Sequence, residues 1–267
     1  NGDDLRVAFF ALLHDQDLTT PIELYATDPA GNTSSARFDF RVFEQDFRRS
    51  RIRLNDSFLR RVVLAIASQT PELADENINS STASSELLNL YLFINGELRR
   101  RNRAVVAEYS TDTSINWLWE GPFRQLPNSQ VESAFADHRT YMYGGNEVDQ
   151  QVHLGFDLAS TANTPIYAAN AGRVLFASYL GIYGNCVIID HGMGLQSLYA
   201  HLSSIDVTTG TLIDRGKQIG VSGQTGLAGG DHLHFTMLLN GHPVTPMEWW
   251  DPNWLEDRVL RKLREAQ

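Results

Sequence analysis

Cysteine is almost absent from this chain: Cys186 stands alone, so no internal disulfide can form, and the redox compartment stays open because many exported proteins carry none. Long apolar runs are missing as well. VVLAIA over residues 62–67, like every other apolar run, falls far short of the roughly 18 residues needed to cross a bilayer, so no membrane span is expected. Positive charge is in deficit, with 22 Lys and Arg against 32 Asp and Glu. A net charge of -10 leaves no cationic surplus to neutralise phosphates, which argues against a nucleic-acid partner. There is neither an initiator Met nor a basic and apolar leader, so any targeting segment is expected outside these residues. What remains, 42% hydrophobic and 20% charged over 267 residues, suits an ordinary folded protein of one large domain or two modest ones.

The texture of the sequence changes twice. Residues 1–45 read as a small β segment: LRVAFFALL is one expected strand, and IELYATDPAGNTSSARFDFRV reads as strand, turn, strand around residues 29–32. Two or three strands are too few for a sandwich, which needs about seven. The stretch YATDPAGNTS is similar to the last hairpin of bacterial immunoglobulin-like modules, so the chain is expected to start inside a longer precursor. Residues 46–120 turn helical: Phe58, Leu59, Val62, Val63 and Ile66 recur at intervals of three and four behind Asn55 or Asp56 as N-cap, and a second helix is expected over residues 85–103. The polar, Ser-rich stretch between them reads as a loop, and ELRRRNR over residues 97–103 as a solvated helix face. Over residues 121–252, short apolar runs separated by Gly, Asn and Asp predict an antiparallel β-rich domain. Leu255, Val259 and Leu263 then mark an amphipathic helix over residues 253–267. The fold class expected is α+β.

Three segments of the β-rich part concentrate residues able to bind metal or move protons: HLGFD (153–157), YAHLS (199–203) and DHLHF (231–235). In a strand, residues two apart share a face with Cα atoms roughly 6.5 Å apart, so His232 and His234 can reach one small object. His153 and Asp157 on a straight strand would lie about 13 Å apart, too far to share an ion. The chain must therefore bend between them, and Gly155 permits the bend. Imidazole nitrogen with carboxylate oxygen and no thiolate suits catalytic zinc, where three protein ligands leave a fourth position for water. No H-E-x-x-H occurs, which excludes the helical arrangement with a glutamate base.

These residues carry a resemblance. HLGFD, LYAHLS and HLHF, in this order and with the intervening PIYAANAGRV and GNCVIIDHG runs, resemble the H-x-G-x-D, x-H-L-S and H-x-H motifs of the lysostaphin and LytM-type zinc endopeptidases. The likeness covers about residues 135–247. It implies a β-rich LytM-like catalytic domain with one Zn2+ per chain, held by His153, Asp157 and His234, and with His201 and His232 as the catalytic pair. It further implies cleavage of peptide stems or crosslinks of bacterial peptidoglycan by an exported protein of the envelope. The acidic balance favours a periplasmic setting over adhesion to anionic wall polymers.

Other residues receive plainer readings. Cys186 reads as buried packing, His191 as part of a turn, and His14, His138 and His242 as structural; Tyr143 is a candidate hydrogen-bond donor to the oxyanion. Two rival functions are weighed. A non-catalytic relative that binds peptidoglycan or activates an amidase would have lost metal ligands, yet all five positions are filled. A histidine phosphocarrier domain shares H-x-G-x-D but leaves the H-x-H strand unexplained.

Overall fold

The structure, a computed structural model, describes residues 7–17, 19, 21–37, 45–73 and 78–266. Near the start, β1 (Glu23–Thr27) and β2 (Thr33–Arg37) form the expected antiparallel hairpin, whose turn is tied by Asp28 accepting from the backbone N–H groups of Ala30 and Asn32. The strand expected before it is absent over residues 7–13, and its first two residues lie outside the described residues, as do residues 38–42 at the end of the hairpin sequence. Phe9 instead lies against the body of the protein, its ring 5.7 Å from Trp117 and its carbonyl accepting from Asn240. Apolar composition alone did not supply a pairing partner for this run.

After β3 (Arg49–Arg53), helix α1 (Asp56–Ala67) begins where Asn55 caps it, the side chain accepting from Phe58 N–H at 2.9 Å. Leu59, Val62, Val63 and Ile66 form its buried stripe, as their spacing requires. Helix α2 (Ser84–Phe93) passes through a wide turn (Ile94–Leu98) into α3 (Arg99–Glu108), so the second helix continues past the expected stop at residue 103. The stop was misplaced because the charged run hid the next buried residue, Val106. That run is not a uniformly solvated face either. Arg100 and Arg101 pair with Glu97 in solvent, whereas Asn102 is buried and accepts from Ile182 N–H at 2.9 Å, and Arg103 donates to Val152 O at 2.9 Å. Helical periodicity turns residues 102 and 103 inward while 100 and 101 stay out.

The β-rich part comprises β4 (Gln130–Ser133), β5 (Asp137–Tyr143), β6 (Asn146–His153), β7 (Phe156–Ala159), β8 (Pro165–Tyr167), β9 (Gly172–Tyr179), β10 (Asn185–Gly192), β11 (Leu195–Leu202), β12 (Ser204–Ile205), β13 (Leu212–Ile213), β14 (Gln218–Val221), β15 (Leu233–Leu239) and β16 (His242–Val244). Its main sheet runs β13-β9-β10-β11-β15-β7-β4 with β16 added to β15, and every pairing in it is antiparallel. The run NCVIID is apolar on both faces because both are covered. Val187 and Ile189 face the main core, while Cys186 and Ile188 face a second cluster that includes Val106 of α3. Cys186 is thus buried packing, its thiol pushed up by burial. At the far end, α4 (Pro246–Trp250), α5 (Pro252–Leu255) and α6 (Arg261–Ala266) follow, and Leu255 and Val259 are buried in the main core with Leu263 packed against it. Among the described residues, no helix is long and apolar enough to cross a membrane.

His191 corrects another expectation, since it lies inside strand β10, one residue before its end, rather than in an open turn. It is fully buried, its Nδ1 donating to Ala171 O at 2.7 Å, its Nε2 lying 2.7 Å from Ser197 Oγ, and its ring edge-on to Phe123. Burial lowers its pKa from 6.5 to about 4, only partly opposed by the Ala171 bond. As pH falls between these values, the unfolded chain takes up a proton that the folded protein refuses, so stability is lost on acidification at about 1.4 kcal/mol per pH unit. Denaturant melts of wild type and His191→Asn between about pH 6 and pH 4.5 should show the steeper loss in wild type, by close to one proton; equal slopes would contradict this.

Candidate metal centre

The expected bend lies between the last residue of β6 and the first of β7. His153 ends β6 opposite Asp137, Leu154 and Gly155 turn the chain, and Asp157 sits in β7 opposite His234 of β15. His153 Nε2 thereby comes within 2.9 Å of Asp157 Oδ1, where an unbent strand would separate the residues by about 13 Å. Gly155 does not owe its place to a left-handed backbone. A Cβ there would meet Thr236 Oγ1 at 2.5 Å and the His234 ring at 2.6 Å, so glycine is required for space.

Three atoms converge: His153 Nε2, His234 Nδ1 and Asp157 Oδ1 lie 2.9 to 3.0 Å from one another, and all three residues are buried. The remaining ring nitrogens fix the tautomers. His153 Nδ1 donates to Ala134 O at 3.1 Å. His234 Nε2 lies 3.0 Å from Thr236 Oγ1, whose own proton goes to Leu154 O at 2.9 Å, so the ring nitrogen must be the donor. Each ring therefore turns a lone pair toward its neighbours. Buried acceptors left facing one another cost about 1–3 kcal/mol each, more for the carboxylate, unless a cation sits among them. A metal ion is such a cation; a proton on His234 is not, because burial lowers its pKa to about 4. Burial would also raise Asp157, but the surrounding histidines outweigh it and hold the carboxyl well below its usual range. Two nitrogens and one oxygen with no thiolate form a donor set that fits zinc, and no other His, Cys, Asp or Glu among the described residues joins the cluster.

The other two histidines stand beside this group. His232 precedes β15 in a bridge to Gly223, its Nδ1 donating to Gly230 O at 2.9 Å and its Nε2 lying 3.5 Å from Asp157 Oδ1. His201, near the end of β11, donates from Nδ1 to Thr225 O at 2.8 Å. Its backbone is left-handed at φ 63°, which costs a non-glycine residue about 1–3 kcal/mol and marks a conformation imposed by its surroundings. The two rings lie 4.9 Å apart, each with Nε2 free of a backbone partner. Burial lowers the pKa of His201 well below 6.5, reinforced by His232 and His234. For His232, burial acts in the same direction, but the bond to Asp157 outweighs it and the pKa rises.

Tyr143 is not brought into this group. Its hydroxyl donates to Asp56 of α1 at 2.6 Å. His14, His138 and His242 also stay apart from the cluster. Sequence reasoning missed Thr236 and Arg139. Thr236 lies two residues beyond His234 on one strand face, a spacing that could have revealed it; Arg139 had no such signal until β5 was placed. A cleft of about 1650 Å3, lined largely by apolar groups such as Phe10, Leu24, Trp249 and Trp254, holds none of the five site residues. With none of the five site residues in its lining, it is the weaker candidate for chemistry.

Residues 151–246 match the family described as Peptidase family M23. The DD-carboxypeptidase/endopeptidase Mpg of Neisseria meningitidis serogroup B is 40% identical over 97 residues, which make up 36% of this chain and 22% of that protein. The peptidoglycan DD-endopeptidase ShyA of Vibrio cholerae is 40% identical over 96 residues, again 36% of this chain and 22% of the relative. The matched stretch thus spans about a fifth of the length of these curated relatives. A crystal structure from Pseudomonas aeruginosa under the name peptidase M23 superposes with a TM-score of 0.52 over 88% of this chain and 75% of its own at 22% identity, a likeness of fold.

Proposed function

We propose, from the peptidase family M23 domain that this chain carries, that it is a zinc-dependent endopeptidase cutting peptide stems or crosslinks of bacterial peptidoglycan. The observation that carries the reading is the convergence of two imidazole nitrogens and one carboxylate oxygen at mutual distances of 2.9 to 3.0 Å. The names of the relatives, peptidoglycan DD-endopeptidase and DD-carboxypeptidase/endopeptidase, support the substrate class. They also support a place in the cell envelope, with export to the periplasm as the finer proposal.

In this reading His153, Asp157 and His234 hold the metal, and His201 and His232 are the catalytic pair. A bound zinc ion supplies Lewis acidity and lowers the pKa of a coordinated water to about 7. The chain's own part is positional and protic. His201 and His232 have their Nδ1 atoms committed to carbonyls, so their Nε2 atoms are the ones able to take a proton from the attacking water, steady the developing oxyanion and return a proton to the leaving amine. Burial keeps His201 neutral and therefore able to accept. Residues 121–252 would form the catalytic domain, with residues 46–120 as a helical region that supplies Val106 to the sheet, residues 1–45 as the β segment and residues 253–267 as the closing helix.

Digestion of purified crosslinked muropeptides, with the new termini identified by mass spectrometry, tests the reaction. One new amine and one new carboxyl per cut within the peptide part are expected. Cleavage confined to the glycan, or none by zinc-loaded protein, would overturn the proposal.

A further inference from the structure

We infer that Arg139 is a positioning residue for the metal site, holding the outer oxygen of Asp157 so that the inner oxygen alone faces the histidines. This assignment rests on the zinc-site reading proposed above. Arg139 Nη2 donates to Asp157 Oδ2 at 2.7 Å, while Oδ1 of the same carboxylate lies 2.9 to 3.5 Å from nitrogens of His153, His234 and His232. The two oxygens thus have separate tasks.

The arginine is itself fixed. β5 lies between β3 and β6, which sets Arg139 opposite Ser50 and Gln151 and sets Asp137 opposite His153. Residues 137 and 139 share one face of the strand, and Arg139 Nε lies 3.5 Å from Asp137 Oδ2 without a hydrogen bond of its own among the described residues. Asp137 is anchored in turn, accepting from Ser50 Oγ at 2.8 Å and from Ser133 Oγ at 3.1 Å. Ser133 Oγ also lies 3.3 Å from His153 Nδ1. One acidic residue therefore backs both the arginine and the shell around a histidine ligand.

The consequence follows from the valence of a carboxylate. Deprived of Arg139, Asp157 Oδ2 would be a buried acceptor without a donor, and the cheapest remedy is to turn toward the ion as a second ligand atom. That would fill the position a substrate water requires. A charge-assisted bond at 2.7 Å is strong enough to prevent the turn. Arg139 accordingly governs coordination number and turnover rather than metal retention.

The test compares Arg139→Gln and Arg139→Lys with wild type, each loaded with zinc for kinetics on crosslinked muropeptides and with Co2+ for visible absorption. Arg139→Gln should keep one metal per chain and lose kcat by about 10–100-fold with KM nearly unchanged. Its Co2+ bands should weaken, as they do when four-coordinate Co2+ gains a fifth ligand. Arg139→Lys, which restores a charged donor, should recover most of both signals. A glutamine variant with wild-type kcat and an unchanged Co2+ spectrum overturns the assignment, as does joint loss of metal and thermal stability in both variants, the mark of a merely structural role. If wild type itself takes up neither zinc nor Co2+, the metal-site reading fails first; if wild type loads and Arg139→Gln matches it, only the arginine assignment falls.

Discussion

Replacing His234 with alanine is expected to reduce the zinc content of dialysed protein from one per chain to near zero, and kcat/KM by about three orders of magnitude or more, the several kcal/mol that a metal's charge contributes to a hydrolytic transition state. The position admits little compensation. His234 is one of three donors, and its tautomer is fixed by Thr236, whose hydroxyl proton is already given to Leu154 O. The group of potential metal donors comprises only His153, Asp157 and His234 among the described residues. Far-UV circular dichroism should remain that of wild type, because β15 stays paired to β11 and β7 through its backbone. Full metal content with full turnover in this variant would remove His234 from the site.

The second large effect separates the proposed ligands from the catalytic pair. His201→Ala and His232→Ala should each keep one zinc per chain while losing about 10^2 to 10^4 in kcat, the range expected when a proton-transfer group is removed. The double variant should lose much less than the product of the two, since the proposed roles put rings 4.9 Å apart on one proton path. Zinc analysis beside single-turnover kinetics on muropeptides checks both points. Loss of zinc from either single variant would move that residue into the ligand set.

How far the sequence foretold this arrangement depended on whether a contact was local. Spacing showed that His153 and Asp157 could meet only through a bend and that His232 and His234 can reach a common object, and in the folded chain the three imidazoles gather around Asp157 Oδ1. The α1 stripe and the hairpin around residues 29–32 were legible for the same reason, since cap, turn and period are written within a few residues. Tertiary pairings were not legible. Nothing near Asp137 and Arg139 announces that β5 will lie between β3 and β6, and this placement sets the arginine against Asp157. The role of Gly155 was found at the right residue for a different reason, space beside His234 rather than backbone freedom. The charged run over residues 97–103 misled because charge hid the inward turn of Asn102 and Arg103. Residues 7–13 misled because an apolar run makes a strand only where an edge is free to receive it.

Central to this account is one cation drawn to three lone pairs with a coordination position left open. Zinc-edge X-ray absorption on the purified wild-type chain, with metal content measured on the same sample, addresses that claim directly. The account predicts one zinc per chain with a low-number shell of nitrogen and oxygen, two imidazoles in the outer scattering and no sulfur. No bound zinc after loading, a thiolate in the shell, or a closed set of four side-chain ligands would contradict it.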